Sequence, residues 1–211
     1  MPRQAAVATT GKGPSQRARK AIVLVAIALA GASLFVVTSS WSDGGLVHET
    51  IEWAGMVLIG LCVAGRTWCS LYIGGRKNFE LIQDGPYSLV RNPLYLFSVI
   101  GAAGAGAQMG SIGTTLVYGI VTWAIFFWMA TVEEAAMQKN FGAAYGNYAA
   151  KVPRLWPRFS GYHSRRSLEV YPRKVIVTFL DASLFWVAVP MTEAFGYLHA
   201  AGFLPTLLRL P

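Results

Sequence analysis

Charge is scarce in this 211-residue chain. Only 13% of the residues are Asp, Glu, Lys or Arg, about half of the ~25% found in an ordinary soluble domain. Hydrophobic residues make up 54%. Too few charges remain to cover a globule, so the composition points to an integral membrane protein. Cysteine is scarcer still. Cys62 and Cys69 stand on one apolar run at a two-turn helical spacing, which reads as packing or lipid contact. Two thiols so placed exclude a disulfide framework and a zinc site. No small-residue cleavage pattern follows the first apolar run, so no cleavable signal is expected. The few charges are one-sided, with 18 Lys and Arg against 10 Asp and Glu, net +8. Such a balance suits nucleic acid or anionic lipid. The basic residues flank apolar runs instead of forming one polar face. That favours membrane lipids and excludes nucleic acid as a partner.

The length fits one domain. Residues 1–20 read as a disordered basic tail, with Arg3, Lys12, Arg17, Arg19 and Lys20. Residues 21–211 form the membrane domain, with its core motifs in 74–160. Apolar runs at 21–38, 46–68, 94–109 and 112–132 give four clear spans near the ~20 residues that cross a bilayer. Two shorter runs, 175–190 and 194–208, predict a C-terminal hydrophobic helical hairpin, tilted or re-entrant. The expected fold class is all-α, a polytopic membrane helix bundle. The third run is rich in small residues, and Gly106-x-x-x-Gly110 fits close helix approach. No strand precedes these glycines, which speaks against a dinucleotide fingerprint. Asp181 lies within an apolar run and is expected to face the bundle or a wet cavity, as an interhelical hydrogen bond in preference to a catalytic role.

With the N-terminus inside and strict alternation, the outer segments are 39–45, 108–111 and 190–194. None contains Lys or Arg, and all 18 basic residues fall inside. The positive-inside rule then predicts a multi-pass protein of a bacterial inner membrane or its equivalent, with the N-terminus and active site cytoplasmic. The stretch 83–95, the acidic pair Glu133-Glu134 and residues 137–173 share that face.

The stretch Gln83-Asp84-Gly85-Pro86-Tyr87-Ser88-Leu89-Val90-Arg91-Asn92-Pro93-Leu94-Tyr95 is too rich for a connector. Asp84 to Tyr87 is a turn signal. Asn92-Pro93 is a helix start, with Asn92 able to cap and Pro93 pre-set for the first helical position. Turn and cap chemistry does not account for Tyr87, Arg91 and Tyr95. Tyrosines are ordinary at a membrane interface. Arg91 beside a helix N-terminus makes an anion attractor suited to a carboxylate. Glu133 and Glu134 sit near the end of an apolar helix, where the dipole disfavours them. They are a solvated face if the helix runs on to Lys139, and otherwise carboxylates available to an ammonium or to ribose hydroxyls.

Gly85-Pro86-Tyr87, Arg91-Asn92-Pro93-x-Tyr95, Glu133-Glu134, Phe141-Gly142-x-x-Tyr145-x-x-Tyr148 and Val152-Pro153-Arg154, in this order, resemble the membrane methyltransferases. That superfamily holds the isoprenylcysteine carboxyl methyltransferases and the phosphatidylethanolamine N-methyltransferases. The resemblance covers roughly residues 50–160. It implies S-adenosylmethionine as cofactor, bound from the cytoplasm, and a lipophilic small-molecule or lipidated acceptor arriving from the bilayer. The cofactor-binding positions it implies are Gly85, Tyr87, Arg91, Asn92, Pro93, Tyr95, Glu133, Glu134, Tyr145, Tyr148 and Arg154, with no metal. Asn92 stands where the prenylcysteine enzymes usually have His, and no basic residue precedes the acidic pair. Both departures speak against a carboxylate acceptor. Two other functions stay open at this point: a membrane reductase using NADPH on a related scaffold, disfavoured by the shortness of the chain, and a non-enzymatic membrane scaffold.

Overall fold

The structure, a computed structural model, describes residues 16–75 and 80–211. The helices in chain order are α1 (Gln16–Ser33), α2 (Leu46–Ile73), α3 (Pro86–Leu89), α4 (Pro93–Ala107), α5 (Ile112–Phe141), α6 (Ala143–Lys151), α7 (Pro172–Ser183) and α8 (Ala188–Ala200). Two short strands, β1 (Val37–Ser39) and β2 (Leu208–Leu210), pair in parallel. The fold is therefore helical with one small strand pair that the all-α expectation did not include.

Three helices are long and apolar enough to cross a membrane by length and composition: Leu46–Ile73, Ile112–Phe141 and Pro172–Ala200. The third corrects the expected C-terminal hairpin. A 3-10 turn, Leu184–Val187, joins α7 to α8 without a break. Pro190 lies in the first turn of α8, where its missing N–H is tolerated. The chain runs from Lys174, packed beside Gly74, to His199, whose Nε2 meets the Leu34 carbonyl at 2.9 Å. It thus travels the whole height of the bundle. The expected third span is the 15-residue α4, shorter than a full crossing. The expected first span, 21–38, is not one of the three: the described helix is Gln16–Ser33, which carries Arg17, Arg19 and Lys20, and 37–39 is strand. Of the expected basic tail, residues 1–15 lie outside the described residues, and Arg17, Arg19 and Lys20 are helical.

The elements place two ends. At one end lie the C-termini of α2 and α5, the N-termini of α4 and α7, and α6. At the other end the turns 40–45 and 108–111 meet the C-terminal strand. There Ser40 N–H donates to the Leu210 carbonyl, and Gly113 N–H and Ser111 Oγ donate to the Pro211 carbonyl. Residues 190–194 are helix and not an outer loop, and Arg209 of β2 sits at this second end. The tally of 18 basic residues on one side is corrected by that residue.

The core forms where α4 packs on α2 and α5. A Cβ on Gly104 would stand 2.8 Å from the Gly55 carbonyl oxygen and 3.0 Å from Ile59, so glycine there lets the two backbones touch. Gly110 of the expected Gly-x-x-x-Gly pair lies past the helix end, with φ +61° and the His48 ring against it. Close approach therefore uses Gly104 and also Gly106, where a Cβ would stand 2.6 Å from the Thr114 carbonyl oxygen, while Gly110 makes the turn. Ser111 caps α5 by accepting from Thr114 N–H at 3.2 Å. Asp181 meets the expectation of an interhelical bond: its carboxylate pairs with Arg66 of α2, and Arg66 also donates to Ser98 of α4. Cys62 and Cys69 are free and buried.

Candidate functional site

The turn ahead of α3 is set by Gly85, whose φ of +61° a side chain would strain. Tyr87 N–H bonds the Asp84 carbonyl at 3.2 Å, as the Asp84–Tyr87 turn signal requires. Tyr72 lies over Gly85 where a Cβ would go. Pro93 then opens α4, and Asn92 holds the cap position with φ −124° and ψ 60°, outside the α region as a residue before proline should be. Its side chain does not cap. The Asn92 carbonyl starts the helix by accepting from Tyr95 and Leu96 N–H. The side-chain amide instead donates to Glu134 Oε1 at 3.0 Å and to the Arg154 carbonyl at 3.4 Å.

Glu134 is the junction of the site. Helix α5 does run past Lys139, but Glu134 is no solvated residue; its side chain is 11% exposed. Arg154 Nε donates to Glu134 Oε2 at 3.0 Å, and Arg154 Nη2 lies 2.9 Å from the same oxygen. Arg91 Nε stands 3.5 Å from Glu134 Oε1. One carboxylate thus faces two guanidiniums and one amide, partners of the kind a buried charge needs. Arg91 is less free to attract an anion than its place beside a helix end suggested, since part of its charge answers Glu134. Its charge also lies near the Tyr145 hydroxyl.

Glu133, one position earlier, turns elsewhere and accepts from Tyr95 Oη at 2.7 Å. The Tyr95 ring stacks on Phe126 at 4.8 Å. Tyr148 Oη donates to the Tyr87 carbonyl at 2.7 Å, tying α6 to α3. The backbone links the same layers: Arg91 N–H bonds the Pro153 carbonyl at 2.8 Å and Asn92 N–H the Arg154 carbonyl at 3.2 Å.

These groups surround an open cleft with both polar and apolar walls, the mixed lining expected of a small-molecule site. Of the sequence-derived positions, Tyr87, Arg91, Asn92, Pro93, Tyr95, Glu133, Glu134, Tyr145 and Tyr148 line it. Gly85 and Arg154 do not. Gly85 makes the turn behind Tyr87, and Arg154 stands behind Glu134 with its guanidinium 5.1 Å from the Phe127 ring centroid. The lining also includes Ile73, Glu80, Leu81, Ile82, Leu94 and Met137, which sequence reasoning missed. Met137 carried a signal, being four residues beyond Glu133 and so on the same helix face. Glu80, Leu81 and Ile82 carried none, because they belong to irregular chain.

Burial pushes the Tyr87 hydroxyl well above the usual tyrosine range. It pushes Tyr145 up to about 12, helped by the nearby Glu134 charge. Tyr148 is raised as well, chiefly by burial. These phenols stay neutral at physiological pH and offer hydroxyls and ring faces. The Tyr87 hydroxyl is buried, with no hydrogen-bond partner among the described residues. A cleft with acidic, guanidinium and neutral phenol groups beside an apolar wall can hold a zwitterionic molecule that also carries an apolar or aromatic part.

Residues 52–144 match the phospholipid methyltransferase family. The chain is 31% identical, over 92% of its length and 89% of the relative's, to the cobalt-zinc-cadmium resistance protein CzcN of Cupriavidus metallidurans. It is 29% identical to the nickel-cobalt-cadmium resistance protein NccN of Alcaligenes xylosoxydans xylosoxydans, over 92% of this chain and 91% of that one. It is 35% identical to the protein-S-isoprenylcysteine O-methyltransferase of Schizosaccharomyces pombe, over 43% of this chain and 39% of that one. No solved structure matches the chain.

Proposed function

The chain belongs to the superfamily of membrane methyltransferases that joins the isoprenylcysteine carboxyl methyltransferases and the phospholipid methyltransferases, and we propose that it transfers a methyl group from S-adenosylmethionine to a lipophilic acceptor at the cytoplasmic face of the membrane. The observation that carries this reading is the convergence of three separated segments, 85–95, 133–134 and 145–154, on one cleft through Glu134.

The residues present fit the cofactor. Glu133 and Glu134 suit its ammonium and ribose hydroxyls. Arg91 keeps donors beyond those facing Glu134 and Tyr145, and with the first turn of α4 suits its carboxylate. The Tyr87, Tyr95, Tyr145 and Tyr148 rings suit a sulfonium. The unpartnered Tyr87 hydroxyl is a group that a ligand would satisfy. Ile73, Leu81, Ile82, Leu94 and Met137 supply the apolar wall. When bound, the cofactor supplies an activated methyl for in-line displacement. The chain's own part is to hold and orient the two reactants and to exclude water.

Three carboxylates, Glu80, Glu133 and Glu134, line the cleft against one guanidinium, Arg91. Arg154 and Arg165 answer Glu134 and Glu80; it is Asn92 and the lack of basic residues in 124–132 that support an acceptor without a carboxylate. The names of two relatives connect those proteins with metal resistance. Among the described residues no group of three or more His, Cys, Asp or Glu is placed to hold a metal ion. We tie any such role here to a methylated membrane component.

Isothermal titration of the purified protein with S-adenosylmethionine tests the reading. Saturable binding is expected, weakened tenfold or more by Arg91→Ala or Glu134→Ala. No binding by intact protein overturns it, and a thermal shift with NADPH in its place would point to the reductase alternative. Incubation of membranes with methyl-labelled cofactor, followed by lipid separation, identifies the acceptor.

A further inference from the structure

Residues 156–174 cross the cleft end of the bundle with their large side chains turned outward. Trp156 is 84% exposed and Phe159 is 74% exposed; Tyr162, Val170 and Tyr171 are exposed as well. Arg158, Arg165, Arg166, Arg173 and Lys174 stand among them, against Glu169 as the single carboxylate. Arg165 is engaged, with Nε 2.6 Å from Asp84 Oδ2 and Nη1 3.9 Å from Glu80. Arg158, Arg166, Arg173 and Lys174 form no ion pair among the described residues, and Arg158 Nε donates to Ser160 Oγ.

The depth of this segment follows from its neighbours. The Tyr162 ring lies 6.4 Å from the Trp68 ring. Trp68 is five residues before the end of α2, or ~7.5 Å along the helix axis. Leu168 packs on the buried cluster of Cys69, Tyr72, Ile82 and Tyr87, and the Tyr171 ring lies against Gly75. The segment then enters the apolar run Pro172–Ala200 directly. It therefore sits at the level where α2 and α7 leave the apolar layer, and not above it in water. Aromatic rings with cationic tips are the composition of that level, and unpaired cations there attract anionic headgroups.

We infer that residues 156–174 are a docking surface for anionic phospholipid headgroups, with Trp156, Phe159 and Tyr162 seated at the acyl boundary and Arg158, Arg166, Arg173 and Lys174 facing lipid phosphates. The surface is coupled to the cleft. The His163 carbonyl accepts from Gly85 N–H at 2.8 Å, His163 N–H donates to Ser88 Oγ at 3.2 Å, and Arg158 N–H donates to the Leu89 carbonyl at 2.9 Å. Seating on lipid therefore steadies the turn that carries Tyr87. The inference does not depend on which cofactor or acceptor the cleft takes.

Hydrogen exchange of the full chain in nanodiscs tests it, comparing phosphatidylcholine alone with phosphatidylcholine plus phosphatidylglycerol. Amides of 156–168 are expected to exchange several-fold more slowly with the anionic lipid. The combined variant Arg158→Gln, Arg166→Gln, Arg173→Gln should lose that difference while keeping its melting temperature. Equal exchange in the two lipids overturns the inference, as does a difference that survives in the variant. Protection produced equally by inorganic phosphate over phosphatidylcholine discs also overturns it. A spin label at Ser160→Cys, with Cys62 and Cys69 buried and unlabelled, should be more accessible to oxygen than to a polar paramagnetic chelate. The reverse order removes the seating.

Discussion

Asn92, at the head of α4, donates its side-chain amide to Glu134 of α5 at 3.0 Å, across 42 positions of sequence. The bond joins the turn that opens the cleft to the helix that closes it. It also explains a departure from the prenylcysteine pattern without loss of geometry, since the histidine found there carries an N–H donor too. Asn92→His is expected to hold Glu134 and to leave S-adenosylmethionine affinity within about threefold. Asn92→Ala should lose about tenfold, or ~1.4 kcal/mol. Isothermal titration of both variants checks this.

Glu134 serves two guanidiniums, so removing it strands both. Breaking a buried pair on one side costs about 3–5 kcal/mol. Glu134→Ala is expected to lose stability in that range along with cofactor binding, measured by denaturant unfolding in detergent. Glu134→Gln keeps the Asn92 contact and should lose less.

Tyr95→Phe removes a hydrogen bond to a carboxylate at 2.7 Å and keeps the stack on Phe126. A bond to a charged group contributes about 1.5–3 kcal/mol. The expected outcome is a drop in stability of that order, with little change in the helical circular dichroism.

The raised Tyr145 sets a sign for alkaline stability. Its folded-state value is about 12, above the unfolded ~10, so its contribution is complete below pH ~10 and is lost as pH climbs towards 12. The melting temperature is expected to fall over that window and to be flat across neutral pH as far as this group is concerned. Tyr145→Phe should make the alkaline fall shallower. Thermal scans of both proteins from pH 8 to pH 12 decide it.

Gly104 and Gly60 make a matched pair. A Cβ at Gly104 meets the Gly55 carbonyl at 2.8 Å, whereas nothing lies within 4 Å of one at Gly60. Gly104→Ala is expected to cost about 1–3 kcal/mol by overpacking. Gly60→Ala is expected to be neutral or slightly stabilising. The two unfolding curves provide the check.

The sequence made the membrane class readable because charge is too sparse to cover a globule. It made the 85–95 turn readable because Gly85 and Pro93 act locally. The runs 175–190 and 194–208 were misleading for a physical reason. Hydropathy dips near residue 193, and a dip at Glu193 reads like a loop although the helix passes through it. The Asn92 side chain was misassigned because capping is a local choice, whereas the partner that won it, Glu134, is distant in sequence. The lining residues 80–82 had no period to reveal them. Arg209 escaped notice because only pairing with β1 fixes which end of the bundle it occupies.

That pairing has a mechanical side. Strands β1 and β2 are parallel, with Val37 opposite Leu208 and Ser39 opposite Leu210. A chain drawn out by its C-terminal end would load these hydrogen bonds in shear, all at once, before α8 could slide. The Pro211 carbonyl adds two more attachments to the head of α5. The first rupture in a single-molecule pull from that end should therefore be one short, stiff event, followed by the softer extraction of a helix of which little is gripped by its neighbours.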